Sequence, residues 1–435
     1  MSRKTAAAVL LRLCVGTLLT ACCPGVIAGS ALADQKPQGQ PPTTGIRGLD
    51  DAPTPANSIS DNSPVTNRML HQQGTHIIDE HGSEVKLRGV NLGGWLVWEG
   101  WIFGKGIITS QARMTIRLER AVGAEQTAQF RTQVYDNFIT ESDIQAIARL
   151  GFNCVRVPFH YRLFDDDSGF RLLDQVVDWC ERSHIYAILD LHMVPGSTLG
   201  MLEPRPIWKS DETRKKVAGI WKAIAARYHD RKTIAGYDLI GEPLPPSGKD
   251  LISVYQQIIQ AIREVDREHL IILEGSKFAS DFSMFDRPLD ENQAYSFHMY
   301  NWFGDDRKKK LAEYLALARK QNTPLYVGEF GENTYEMIGS TVDLFARCPE
   351  IDGWTFWTWK KAPSAYPGLI TIKLPKDWKT TMDWLGSLFE SRQPGPDTIR
   401  AGMKEFIEAA ALDHCVFDSR MEQALLGARS TQITR

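Results

Sequence analysis

Two glutamates each close a β-branched, strand-like run in this chain: Glu242 in IAGYDLIGEP and Glu329 in TPLYVGEFGEN. The ends of strands are where a (β/α)8 barrel gathers its reactive side chains. Other polar residues hold comparable positions. Arg156 lies within NCVRVPF, His192 ends YAILDLH, His298 and Tyr300 end AYSFHMY, and Trp357 sits in GWTFWTW. Each has an ordinary explanation by itself: an arginine in a strand pairs with a core carboxylate, a histidine ending a strand is structural, and Gly-Glu dipeptides are common. Their recurrence at corresponding ends of six runs points instead to one constellation. Two carboxylates facing each other across such a mouth can cleave a glycosidic bond.

The elements that must position these residues alternate as βα units do. THIID, a turn at His81 and Gly82, and VKLRG read as a short N-terminal hairpin leading into VNLGGW. The remaining strand candidates are NCVRVPF, YAILDLH, IAGYDLI, LIILEG, AYSFHMY, PLYVGEF and GWTFWTW, which with VNLGGW make eight. They are near-continuous apolar runs, as expected when both faces of a sheet are covered. A helix opens at Thr140, with Asp143 three residues on, and stops at Gly151. Others are predicted near 171–183, 211–229, 250–267, 307–321, 336–347 and 396–411. The fold class is therefore α/β: a single (β/α)8 barrel over 68–412, with a short N-terminal hairpin and a C-terminal tail at 413–435.

The 435 residues fit one barrel, and 50 basic against 53 acidic residues, with no block of like charge, argue against nucleic acid as partner. The 12 tryptophans exceed what packing usually recruits, and flat aromatic faces suit sugar rings. Residues 1–33 read as an export signal, with Ser2, Arg3 and Lys4 opening a positive region that extends to Arg12, before the apolar LCVGTLLTA. Leu19-Thr20-Ala21-Cys22 offers lipoprotein processing, in which Cys22 carries lipid and attaches the protein to a membrane; Ala31-Leu32-Ala33 offers ordinary cleavage. An uncleaved anchor is disfavoured because Arg12 interrupts a short apolar stretch. The expected location is exported: periplasmic, outer-membrane lipoprotein or extracellular. Residues 34–67, rich in Pro, Gly, Gln and Ser, read as a disordered linker. Cys154, Cys180, Cys348 and Cys415 match no zinc spacing, and Cys154 and Cys180 read as buried thiols.

LRGVNLGGWLVWEGW, TESDIQAIARLGFNCVRVPFHY and GWTFWTWK, in this order and strand context, resemble glycoside hydrolase family 5 of clan A, in its cellulase and exo-β-1,3-glucanase branches. The resemblance covers about residues 70 to 412. It implies Glu329 as nucleophile and Glu242 as acid/base, with Arg156 supporting the nucleophile. It further implies that His192 and His298 line the glycone site, that Tyr300 bonds the nucleophile, and that Trp357 is a sugar platform. Retaining double displacement follows, with carboxyl groups about 5 to 5.5 Å apart. This chemistry needs no metal or other cofactor. Glu242 is expected to have its pKa raised by the charge of Glu329, while Arg156 and Tyr300 hold Glu329 ionised.

One position departs from the family pattern: Gly241 stands where an asparagine usually precedes the acid/base. That amide grips the sugar 2-hydroxyl, an interaction worth several kcal/mol in the transition state. A water or neighbouring side chain replaces it, or the glycone carries a modified 2-position, or the barrel only binds glycan. Trp98 and Trp302 are the exposed platforms expected among the loop aromatics, and Lys360 and Lys361 read as a solvated pair. The resulting expectation is an exported, monomeric retaining glycosidase acting on β-glucan or another β-linked polysaccharide or oligosaccharide. The alternatives are a glycan-binding barrel and a transglycosylase.

Overall fold

The computed structural model describes residues 68–105, 109–166, 168–195, 206–302, 305–387 and 392–427. The export segment, Cys22, the linker and the last residues of the C-terminal tail lie outside the described residues.

Two short strands, β1 (Leu70–Gln73) and β2 (His76–Asp79), precede the barrel and pair antiparallel. The barrel strands are β3 (Leu87–Asn91), β4 (Cys154–His160), β5 (Tyr186–Met193), β6 (Ile234–Asp238), β7 (Leu270–Glu274), β8 (Gln293–Met299), β9 (Leu325–Gly331) and β10 (Ile351–Trp357). All neighbours are parallel, and β10 closes on β3. The sequence reading of the barrel agrees with this. The hairpin differs in its residues: the tight turn is at Gly74, and Leu87–Asn91 belongs to the barrel, not to the hairpin. The turn at His81 and Gly82 does form, closed by the Gly82 N–H donating to the Asp79 carbonyl, but only one bridge, Ile78 to Glu84, follows it.

The period of two along each strand divides the barrel wall into an inner and an outer face. On β7, Ile271 and Leu273 join the large cluster beneath the helices, whereas Leu270 and Ile272 join an inner cluster with Leu87, Cys154, Tyr186, Ile188, Ala235, Ala294 and Tyr326. Leu70 and Ile77 of the hairpin belong to that inner cluster, so the hairpin closes the amino-terminal end of the barrel. At Gly89 an added Cβ would stand 2.0 Å from the Cys154 carbonyl oxygen, a close approach that only glycine permits.

The helices form where the sequence predicts, within a few residues. Thr140 and Asp143 make a capping box for Glu141–Arg149, and Gly151 follows it at φ 88°. The segment between β3 and β4 also holds two helices beyond those predicted, Gln111–Val122 and Ala124–Asn137. The first is amphipathic, burying Met114, Leu118 and Val122 at a spacing of four, and Ser110 caps it. The tail continues the body: Val416–Phe417 pairs with Ile370–Thr371, and Ser419–Leu426 buries Met421 and Leu425. No helix among the described residues is long and apolar enough to cross a membrane. Cys154 and Cys180 are buried free thiols.

Candidate active site

Counting by twos from the inner apolar residues leads to a polar layer at the carboxyl ends of the strands. On β5 the series is Tyr186, Ile188, Asp190, His192; on β7 it is Leu270, Ile272, Glu274; on β8 it is Ala294, Ser296, His298, then Tyr300 just beyond. Arg156 of β4 is wholly buried at the centre. Its Nε donates to Asp238 at 2.9 Å, one terminal nitrogen donates to Asn91 at 3.1 Å and Glu329 at 2.8 Å, and the other reaches Glu274 at 2.9 Å and Asp190 at 3.0 Å. A guanidinium always carries its charge, and these bonds offset its desolvation; removing one partner of such a buried pair costs about 3–5 kcal/mol.

Glu329 accepts from Arg156 on one oxygen and from the Tyr300 hydroxyl, at 2.9 Å, on the other. Glu242 lies past the end of β6 with φ 46°. This left-handed conformation costs a non-glycine residue about 1–2 kcal/mol. Its side chain, about a quarter exposed at 26%, accepts from His298 Nδ1 at 2.9 Å. Ligand atoms of Glu242, His298 and Glu329 all lie within 4.8 Å of one another, so an oxygen of one glutamate is that close to an oxygen of the other. The trio is compact enough to share a cation. Each member is already bonded within the protein, however, and the pairing of carboxylate with imidazole suits proton transfer without one.

His192 bonds Asp190 at 2.8 Å through Nδ1 and stacks on Trp357, ring centres 5.7 Å apart. Burial alone would keep this imidazole neutral, but the Asp190 charge and hydrogen bond outweigh it and push the pKa up to about 10. The other nitrogen, Nε2, faces Glu99 at 3.7 Å. Burial, opposed by His192 and reinforced by the Glu329 and Glu242 charges, pushes Glu99 up to about 8, so it holds its proton at neutral pH. Trp302, 54% exposed, stacks on Tyr300 at 4.9 Å.

Arg156, His192, Glu242, His298, Tyr300, Glu329 and Trp357 are thus brought to one end of one barrel, with Trp302 at its rim. Trp98 is not a surface platform. It is 1% exposed and packs against Phe103, Phe130 and Tyr135, because the chain after β3 folds back into the helical layer. Lys360 and Lys361 are not solvated either. Lys360 reaches Asp143 and the carbonyls of Phe138 and Ala410, while Lys361 pairs with Glu332 and lies 4.4 Å from the Trp101 ring centre.

The electrostatics also reverse an expectation. Burial tends to raise Glu242, but the hydrogen bond and charge of His298, with His192 and Arg156 behind, outweigh it and hold its pKa below the usual value. Glu329 is instead raised, because burial and the Glu242 charge prevail over His298 and Arg156. The sequence drew attention to the facing glutamate and gave no sign that His298 would touch Glu242 directly. Asn91, Asp190, Asp238, Glu274 and Glu99 were also missed as site residues. The available signal was a polar residue at the same parity as the inner apolar ones, near the end of a strand.

A family model described as cellulase, glycosyl hydrolase family 5, matches residues 118–363. The chain belongs to glycosyl hydrolase family 5. A β-xylosidase of Phanerodontia chrysosporium is 38% identical over 252 residues, covering 54% of this chain and 52% of that protein. A probable glucan 1,3-β-glucosidase A of Aspergillus fumigatus is 28% identical over 270 residues, covering 56% of this chain and 64% of the relative. The matches thus span between half and two-thirds of these relatives. The crystal structure of an endogalactoceramidase shares the fold, with a TM-score of 0.53 and 19% identity over 68% of this chain and 75% of that one.

Proposed function

We propose that this chain is a retaining glycoside hydrolase acting on β-linked glycans, with Glu329 as nucleophile and Glu242 as acid and base. The observation that carries the reading is the approach of the two carboxylates to within 4.8 Å. That spacing suits attack by one carboxylate on the anomeric carbon; an inverting pair sits at about 6.5–9.5 Å to leave room for water. Glu329 attacks as the Arg156 and Tyr300 bonds align it, and Glu242 passes to the departing oxygen a proton taken from His298 Nδ1, 2.9 Å away. Glu242 then takes a proton from the water that releases the sugar.

Gly241 fits an active site in which a neighbouring side chain fills the place of the amide. A Cβ at this position would stand 2.9 Å from His192 Nδ1 and 3.1 Å from the His192 Cα. His192, a charged donor with its Nε2 facing the site, takes over the grip on the glycone in this reading. The substrate is an oligosaccharide or polysaccharide in preference to a small glycoside. Of the four large apolar side chains exposed among the described residues, Phe278, Trp302 and Tyr366 follow β7, β8 and β10 at the reactive end; only Ile116 lies elsewhere. Single exposed apolar residues are ordinary, but a collection around one mouth suits sugar faces. We include export in the proposal, on the strength of residues 1–33, with Cys22 the candidate lipid carrier.

The test is incubation of the purified protein with β-1,3-, β-1,4- and β-1,6-linked glucooligosaccharides and with xylooligosaccharides, following the anomeric proton of the fresh product by NMR. Release of the β-anomer supports the mechanism. Release of the α-anomer, or no reducing ends from any substrate, would sink it.

A further inference from the structure

We propose that Glu274 is a positioning residue for the acid/base carboxylate, holding the main chain of Glu242 directly and its side chain through His298. The proposal rests on the reading of Glu242 given above. Glu274 ends β7, is wholly buried, and points inward by the parity of Leu270 and Ile272. Its oxygens divide their work. Oε2 accepts the Glu242 main-chain N–H at 2.5 Å, while Oε1 accepts from Arg156 at 2.9 Å and faces His298 Nε2 at 3.1 Å.

Two features give these contacts consequence. The left-handed backbone of Glu242 follows Gly241, which has no side chain to anchor the turn, so the bond from a buried carboxylate to the Glu242 N–H fixes a conformation the chain would otherwise leave. His298 has a carboxylate on each ring nitrogen, Glu242 on Nδ1 and Glu274 on Nε2, with Glu329 3.5 Å from Nδ1. An imidazolium donating from both nitrogens satisfies that arrangement, whereas a neutral ring would leave one contact without a proton.

The surrounding charges are Arg156 on β4, Asp190 and His192 on β5, Asp238 on β6 and Glu329 on β9; the Tyr255 hydroxyl, from Gly248–Arg263, donates to the Glu274 carbonyl at 2.9 Å. Burial and the Glu274 charge push the Asp238 pKa up, against the pull of Arg156. Burial opposes the charge on His298, but Glu274, Glu329 and Glu242 outweigh it and hold the ring well above an ordinary histidine. His298 therefore holds the proton of its pair with Glu242, whose carboxylate stays ionised beside it, and the negative charge of Glu274 strengthens that hold. A proton on His298 Nδ1, within reach of Glu242 when the leaving oxygen needs one, is the consequence.

Full-length E274Q and E274D, compared with wild type on 4-nitrophenyl β-D-glucoside and β-D-xyloside, test this. In E274Q, kcat is expected to fall at least tenfold and the alkaline limb of kcat/KM to move down by about one pH unit, because a nearby negative charge is lost. E274D keeps the charge but shortens the reach, so kcat falls while the limb stays. A residue that only filled space would lower kcat or the melting temperature without moving the limb. A folded E274Q with an unmoved limb overturns the proposal. A second readout needs no turnover: 15N NMR of the His298 ring, assigned with H298N, should find both nitrogens protonated at pH 7 in wild type. A neutral wild-type ring overturns the proposal even if E274Q fails to fold, and an inactive protein with a doubly protonated ring overturns only the hydrolase reading.

Discussion

Along β7, Leu270 and Ile272 point toward the same axis as Glu274, yet the two ends of that axis are built on opposite principles. The amino-terminal end is hydrocarbon, closed by Leu70 and Ile77 of the hairpin. The carboxyl-terminal end gathers Arg156, His192 and His298 with Asp190, Asp238, Glu274 and Glu329, nearly all of it buried. Hydrophobic burial is non-directional and tolerant of exchange, whereas a buried charge has one acceptable set of partners. Stability and chemistry are thus stored at different heights of one barrel, and substitutions at the two heights should separate them.

The largest effect is expected at the charged end. Glu329→Gln should lower kcat at least a thousandfold while the melting temperature changes little, because the amide oxygen still accepts from Arg156, which keeps Asp190, Asp238 and Glu274. Release of nitrophenol and calorimetry follow the two, and residual turnover above one per cent would contradict the role of Glu329 as nucleophile. At the apolar end the signature inverts. Leu270→Ala should cost about 2–5 kcal/mol in urea unfolding, with kcat within a factor of two of wild type. Gly241→Asn, which restores the usual family residue, is expected to impair this protein, because its Cβ would crowd His192 and Asp190. A fall in kcat of ten- to a hundredfold, about 1.4–2.8 kcal/mol, is the outcome to look for; a gain would mean that His192 does not occupy the place of the amide.

The acid limb of the pH profile should report Glu329. Its pKa is raised by burial, so it takes a proton at a higher pH than an exposed glutamate, and kcat/KM should begin to fall above the ordinary carboxylate range as pH decreases. An acid limb at or below about pH 4 would oppose that assignment. Trp302→Ala should have the smallest effect: a rise of a fewfold in KM for oligosaccharides, equivalent to about 1 kcal/mol, with kcat on nitrophenyl glycosides unchanged.

The same contrast explains what could be read in advance. Eight strands and most helices were legible, because burial on both faces writes continuous apolar runs and because Thr140 with Asp143 is a local signal. The residues placed at strand ends were legible for a related reason, since strand direction alone carries them to one mouth. The partners were not. Lys360 reads as a surface residue until Asp143, 217 positions away, is folded against it, and Glu274 reads as the end of LIILEG until Arg156 and His298 arrive from other strands. Trp98 shows the same limit for aromatic residues: the chain after β3 turns inward only because Phe130 and Tyr135 of a later helix pack on it.

The hairpin that seals the floor is stitched almost entirely to late parts of the chain. The Ile77 N–H donates to Asp352 at 2.8 Å, the Gln72 N–H to Asn292 at 2.8 Å, and the Gln72 amide to the Asn322 carbonyl at 2.6 Å. A polypeptide emerging in order therefore waits for more than two hundred residues before these early strands find their acceptors, and loop closure over that distance is slow. Until then Leu70 and Ile77 have no barrel to cover. Assembly is accordingly a closing event that belongs to the finished chain, and a ribosome-bound fragment ending before β8 should remain sensitive to protease along its whole first half.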